Sequence, residues 1–478
     1  MTRKLIKAGH IIAHQDDGHK YLRNGVIMVE DDKIAFVGKE FDGEVDETID
    51  SPDTIVTPGF INTHAHLTES PLDRSFVEDR GPRQFYLSGL FEYLTARDGA
   101  ITDDARRACA AFSIPELIRS GTTTIMEIGG HGDFVVEQAG KCGLRAYVGE
   151  GYKSGRWLTN NGRTVDYEWF DDDGEAAFQR AVDFINRVEG KQNDRIRGFL
   201  TPLQVDTVSK KMLQKSCAVA SEMNVPLALH TSQSVVEFQE MTRRHGCTPI
   251  EWLERIGFLG PNVILGHAIL PGGSSWTNYP SNDIQILADT ATNVAHAVWV
   301  FARRGIAMES YSRYLAAGVN MTLATDTCPQ SMLEALRWTA VVSKIIDRQT
   351  EVATAADVFN SATLAGAKAL NRDDLGRISV GAKADMLFWK GSSLSMTPLR
   401  DPIRNIVYSA QSEDLHSTMI DGEWVMRDRE VKGFSVPELT AQVQRGAEYM
   451  WENMHHQDWG QRDINTLSPE SFPRFRAN

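Results

Sequence analysis

Between residues 55 and 324, short apolar runs alternate with stretches of helical periodicity. The runs are Ile55–Ile61, Thr123–Met126, Leu144–Val148, Arg197–Leu200, Pro226–Leu229, Val263–Leu265, Thr292–Ala295 and Asn320–Ala324. Each is too short for an ordinary helix. Amphipathic stretches such as Asp103–Arg119, Gly174–Val188, Lys210–Met223 and Pro249–Ile256 separate most of them. Eight strands alternating with helices predict a parallel (β/α)8 TIM barrel over residues 58–377.

Outside this span the pattern changes to turn-bounded strands. Asn24-Gly25 precedes Val-Ile-Met-Val, and Asp31-Asp32 precedes Lys-Ile-Ala-Phe-Val, which is hairpin chemistry. Ala384–Trp389, Asn405–Tyr408 and the run from Thr418 to Met426, with its Asp421-Gly422 turn, read the same way. Residues 1–57 hold too little sequence for a core of their own, so they are expected to join residues 378–435 in one small β-sandwich. Helices are predicted from Met332 to Arg348, over Thr354–Leu370 and over Glu438–Met454. Residues 436–478 then form a C-terminal helix and a tail in which Pro469 and Pro473 disfavour helix. The apolar stripe Leu439, Val443, Ala447, Met450 and Met454 is expected to pack on the body of the protein, with a dimer contact as the alternative.

Composition narrows the partners. The 478 residues suit a large barrel with an accessory domain, and a hydrophobic content of 42% is ample for its core. A net charge of −14 argues against nucleic acid or an anionic membrane as partner. Five scattered cysteines without a Cys-x-x-Cys pair fit reduced thiols, hence a cytoplasmic location. No signal peptide or transmembrane segment is read. The expected partner is a small-molecule substrate, and the expected assembly a homo-oligomer, dimer or larger.

Candidate chemistry lies at the C-terminal ends of the predicted strands, where barrel active sites form. His64 and His66 end the first strand and, spaced i, i+2, project to one face. His230 ends the fifth, His267 the sixth, His296 the seventh and Asp326 the eighth. A lone His-x-His is weak evidence, and any one of these residues alone would read as a core or loop side chain. Their joint placement points to a metal centre. Aromatic residues crowd the loops on the same face: Phe76, Phe85, Tyr86, Phe91 and Tyr93 in the first, Trp157, Tyr167, Trp169 and Phe170 in the third, then Trp276 and Tyr279, Trp299 and Phe301. They line an apolar or aromatic pocket, or they only pack the loops onto the barrel.

With Pro58-Gly-Phe-Ile-Asn-Thr-His-Ala-His, Gly121-Thr-Thr-Thr, His230, Gly266-His267, Thr325-Asp326 and Gly376-Arg-Ile-Ser-Val-Gly381-Ala-Lys-Ala-Asp385, the chain resembles the amidohydrolase superfamily over roughly residues 1–430. Within it the resemblance is to the branch of cytosine- and guanine-deaminase-like and triazine-hydrolase-like enzymes. The resemblance implies His64, His66, His230 and Asp326 as ligands of a divalent metal that activates a water, with zinc expected and iron the alternative. It also implies Asp326 as proton carrier and His267 as the group that stabilises the oxyanion or polarises the bond under attack. No lysine stands in the fourth-strand segment Thr201–Ser209, which favours one metal.

The departures bear on the reaction. Where this branch carries His-x-x-Glu, the chain reads His230-Thr-Ser-Gln233, and a carboxamide is no general acid at neutral pH. Gln204 replaces a histidine in the fourth-strand motif, and His296-Ala-Val-Trp299-Val-Phe301 lacks the usual polar run. Gln204, Gln233, His296 and Trp299 are therefore expected to bind substrate. The expected reaction is hydrolysis of a non-peptide C–N bond of amide, urea or carbamate type in a small aromatic or heterocyclic molecule, with Asp326 as shuttle. The alternative is hydrolytic deamination or dehalogenation of a triazine-, purine- or pyrimidine-like ring. A binding protein that kept the scaffold has no need of an open metal site.

Overall fold

Parallel strands with buried side chains on both faces carry the middle of the chain. The computed structural model describes residues 1–475. Strands Phe60–Ala65, Thr122–Gly129, Arg145–Tyr152 and Ile196–Gly198 lie side by side in one parallel sheet, with Thr201–Pro202 beside Arg145–Tyr152. Leu227–Thr231, Val263–His267, Asn293–His296 and Asn320–Leu323 form a second. Parallel bridges Leu200↔Leu227 and Gln204↔His230 join the two at one side, and Ala65↔Asp326 joins them at the other. All eight runs read from the sequence overlap strands here; the last five agree within two residues, while the strands of the runs from Ile55, Thr123 and Leu144 go three to four residues further than read.

Both chain ends meet in a single eight-stranded sheet. Arg3–Gln15 lies between Gly18–Glu30 and Glu47–Pro58, and Glu47–Pro58 pairs on its other edge with Met386–Lys390. Leu415–Ile420, Glu423–Arg427 and Glu430–Val431 extend the sheet from there. Glu47–Pro58 runs through Gly59 directly into Phe60–Ala65, so the terminal sheet is spliced to the first parallel strand. Gly59 is required there because a Cβ would collide with the Thr123 side chain.

Two expectations are corrected. The first hairpin turns at Asp16-Asp17, and Asn24-Gly25 lies inside Gly18–Glu30. Two long strands with a dozen paired residues fix that register from the core side. Asn405–Tyr408, read as a strand, belongs to the helix Pro402–Tyr408, which Asp401 caps by accepting from the Ile403 and Arg404 amides.

Helix Asp103–Arg119 is capped by Thr102, and Lys210–Met223 by Ser209. The predicted helix over Thr354–Leu370 breaks at Thr363 into Ala355–Ala362 and Leu364–Ala369. The C-terminal helix Val436–Asn453 sets Leu439, Ala447 and Met450 inward, the latter two packing with Cys109 and the first-loop residues Phe76 and Val77. Its stripe therefore packs on the body of the protein. Ile464–Leu467 forms one helical turn in the tail, and the tail's last three residues lie outside the described ones. Among the described residues no helix is long and apolar enough to cross a membrane, and the five cysteines are free thiols.

Candidate active site

Six chemically active side chains stand at the ends of parallel strands because the strands end in register. Backbone pairing places the first and eighth strands edge to edge: the His66 amide donates to the Asp326 carbonyl (2.8 Å) and the Asp326 amide to the His64 carbonyl (2.9 Å). Asp326 holds a left-handed conformation, φ 61°, which an aspartate tolerates better than most residues and which marks a site under constraint.

One donor atom from each of His64, His66, His230 and Asp326 lies within 4.8 Å of the others. The His66 and His230 Nε2 atoms are 3.2 Å apart. Asp326 Oδ1 is 3.3 Å from His66 Nε2 and 3.4 Å from His64 Nε2, and Oδ2 is 3.9 Å from His267 Nε2. His230 Nδ1–H donates to the Leu203 carbonyl at 2.6 Å, which fixes the tautomer with the Nε2 lone pair facing the centre. His64 Nε2 is buried without a hydrogen-bond partner. Gly266 makes the room, since a Cβ there would stand 2.5 Å from the His64 ring. Converging lone pairs, an unsatisfied nitrogen and a carboxylate fit a divalent cation of borderline softness.

Electrostatics agree. Burial drives His64 down and His230 well down from the usual imidazole value, the latter helped by the neighbouring histidines. Burial likewise lowers His267 to about 3 and His296 to about 4, so these imidazoles are neutral at physiological pH. Burial alone would raise Asp326, but His267, His64 and His66 together outweigh it and hold the carboxyl well below the ordinary range.

His66, His230 and Asp326 open into a cleft of about 410 Å³, with His64 buried beneath them. Gln204 and Gln233 line it, with the Gln233 amide donating to the Gln204 carbonyl oxygen. His267 lines it as well. His296 and Trp299 stand elsewhere: His296 packs on Tyr311 at 5.4 Å and Trp299 on Trp338 at 5.0 Å, and neither lines the cleft. The following segment takes that place through Val300, Phe301 and Arg304. Of the loop aromatics only Trp157 and Phe301 face the cleft, while Phe76, Phe85 and Phe91 are fully buried under the loops. Trp157 is held by its indole N–H to Asp206 (2.8 Å), which also accepts from the Tyr167 hydroxyl (2.7 Å).

Glu237, one turn beyond Gln233, does not reach the cleft. Its carboxylate accepts from the Ser232 and Gln233 amides at 2.5 and 3.4 Å and supports the turn after the fifth strand. Burial and the nearby Asp206 push its carboxyl well up. The carboxylates that do line the cleft are Asp326, Glu69, Asp73 and Asp98. Sequence reading missed Glu69 and the cationic residues Arg97, Arg106, Lys153, Arg156 and Arg304. They come from the first loop, from helices Tyr93–Ala100 and Asp103–Arg119, from the strand Gly155–Leu158 and from connecting segments, and nothing in their spacing marked them.

Comparison with known proteins places this geometry. The amidohydrolase family profile matches residues 55–425. A 5-methylthioadenosine/S-adenosylhomocysteine deaminase of Thermococcus kodakarensis is 30% identical over 88% of this chain and 93% of its own length. A 5′-deoxyadenosine deaminase of Methanothermobacter thermautotrophicus is 28% identical over 86% and 91%. Among solved structures, a zinc-bound adenosine deaminase from Xanthomonas campestris superposes with a TM-score of 0.79 at 21% identity, covering 94% of this chain and 98% of that one. Atrazine chlorohydrolase from Arthrobacter aurescens in complex with zinc gives 0.77 at 22% identity, covering 93% and 100%.

Proposed function

The chain belongs to the amidohydrolase family and is a hydrolase acting on C–N bonds other than peptide bonds, and we propose that it deaminates an amino-substituted heterocycle of nucleoside type at a single zinc centre. The convergence of His64, His66, His230 and Asp326 within 4.8 Å carries this reading, and the deaminase names of relatives matched over most of the chain support it. We take the two parallel sheets, bridged on both sides, as one closed (β/α)8 barrel over residues 58–377. Residues 1–57 and 378–435 form the flanking β domain.

His64, His66, His230 and Asp326 would hold a divalent metal, which would supply a Lewis acid that activates water near neutral pH. Asp326 moves the proton: it is the only donor that is a carboxylate, and its depressed pKa keeps it ionised as a base. Neutral His267, 3.9 Å from Asp326, donates to developing negative charge on the substrate. Gln233 and Gln204 orient the ring through amide hydrogen bonds, so the proton route runs through Asp326 alone.

A second reading, cleavage of an exocyclic amide, urea or carbamate, is favoured by Gln233 itself, because such bonds need no acid at a ring nitrogen. Products separate the two. The zinc-loaded protein is expected to release ammonia from a panel of adenosine derivatives that holds the neutral 5′-deoxyadenosine and 5′-methylthioadenosine and the carboxylate-bearing S-adenosylhomocysteine. Amine release from aryl amides, ureas or carbamates instead establishes the second reading, and turnover of neither panel sinks both. His66→Ala is expected to lose bound metal and activity with the circular-dichroism spectrum intact. Full zinc occupancy in that variant would remove His66 from the ligand set.

A further inference from the structure

The charges lining the cleft do not cancel. Arg97 is buried and ion-paired with Asp73 and Asp98, Arg106 lies 3.8 Å from Glu69, and Arg156 pairs with Glu168 at 2.6 Å. Asp326 belongs to the four-donor centre. Two cations are left over. Arg304 and Lys153 both line the cleft, and neither has a carboxylate within 4 Å among the described residues. Arg304 Nε is buried with no hydrogen-bond partner at all. Its guanidinium lies against Gly89 of the first loop, where a Cβ would stand 3.7 Å from Cζ and Nη2.

Such an arrangement costs stability unless something occupies it. A guanidinium whose Nε is buried without a partner gives up hydration at that atom and gains nothing in return. Burial lowers the pKa of both side chains. The chain as a whole carries a net charge of −14, so this local surplus runs against its composition. A divalent cation in the four-donor centre adds to it. Arg304 presents a planar set of N–H donors suited to a carboxylate or phosphate, and Lys153 adds a point charge.

We propose that Arg304 and Lys153 form an anion subsite, and that the substrate carries a carboxylate or phosphate group. This rests on the cleft being the substrate site, and it holds for either reaction above. The neutral aromatic part of such a molecule would lie against Trp157 and Phe301.

The test measures binding to the zinc-loaded protein by calorimetry, with benzoate, phenyl phosphate and neutral benzyl alcohol as probes. Both anions, or the one whose chemistry matches the substrate, are expected to bind at least about tenfold more tightly than benzyl alcohol. Whichever anion binds more tightly identifies carboxylate or phosphate as the natural group. In Arg304→Met/Lys153→Met that preference should disappear while zinc content and benzyl alcohol binding stay as they were and the melting temperature does not fall. Arg304→Lys should keep part of it. The proposal is overturned if the anions keep their affinity in the double variant, as they would when seated on the metal, or if the wild type shows no anion preference. Ammonia or amine release plays no part in this readout, so failure of the reaction assignment and failure of the subsite are told apart.

Discussion

At Asp326 and Gln233 single side chains decide the chemistry. Asp326 is both a member of the donor set and, in the proposed mechanism, the proton carrier. Asp326→Asn should therefore abolish turnover. Gln233→Ala removes an orienting hydrogen bond and should lower turnover about 10- to 100-fold. Gln233→Glu should give no gain, because a second carboxylate would crowd Asp326 at the centre. Steady-state kinetics with zinc content measured in each variant checks all three. A rise of about tenfold or more in Gln233→Glu would show that the reaction wants an acid at that position. The strand-end histidines were legible because a strand's end is set by its apolar run, and the run is visible. Trp299 and His296 were assigned to the pocket by position alone. The residues after the seventh strand turn into the helix Val298–Ala302, which swings Trp299 onto Trp338 and presents Phe301 and Arg304 instead.

Elements differ in how much of their geometry the sequence exposes. Every buried parallel strand was found, since each must be apolar to be buried on both faces, but the first three run three to four residues beyond the apolar run that marked them. The Pro402–Tyr408 segment has four apolar or aromatic residues that fit strand and helix alike, and the Asp401 cap and Pro402 at the first helical position decide it. The hairpin Gly155–Leu158 and Asp166–Trp169 was invisible as such, because its strands are short and show no clean alternation of buried and exposed positions. It reaches the cleft through Trp157, and buried Asp206 holds it by two hydrogen bonds. Asp206→Ala should loosen that hairpin while leaving the metal donors in place. The expected outcome is a rise of about tenfold in KM with kcat within about threefold. An equal fall in kcat at constant KM would place the effect on the chemistry instead.

Across the whole molecule, the terminal sheet and the parallel strands are locked by a buried ion cluster centred on Arg145, with Lys383 and Arg195 at 3.7 and 3.9 Å from Asp421 at its edge. Arg145, at the start of its strand, donates to Asp385 (3.1 Å) and Asp421 of the terminal sheet region, all with side chains at most 3% exposed. Arg145→Met would leave two carboxylates buried beside each other and should cost about 3–5 kcal/mol, read as a lower urea midpoint. A loss under about 1 kcal/mol would mean that water reaches the pair. Acid should weaken the fold through buried neutral imidazoles. His296 and His19 titrate at about 4 and about 3 when folded, below the usual 6.5. The unfolded chain therefore takes up protons first. Their contribution is full above pH 6.5 and is lost as pH falls towards 4 and then 3. For His296 this amounts to about 2 kcal/mol between pH 7 and 5. Urea midpoints at the two pH values should show it, and His296→Phe should shrink the difference by that amount.

The edge-to-edge pairing of the first and eighth parallel strands also has a consequence in time. Asn62 and Thr325, hydrogen-bonded at 2.7 Å beside the metal donors, lie 263 positions apart in sequence. Closing so long a loop is slow and comes after local contacts have formed. On the ribosome, His64 and His66 emerge long before Asp326 exists, so the growing chain exposes two imidazoles with no completed cage around them. Under the proposed function, metal capture is then the last event of assembly rather than its nucleus, and metal uptake would serve as a clock for the docking of the eighth strand.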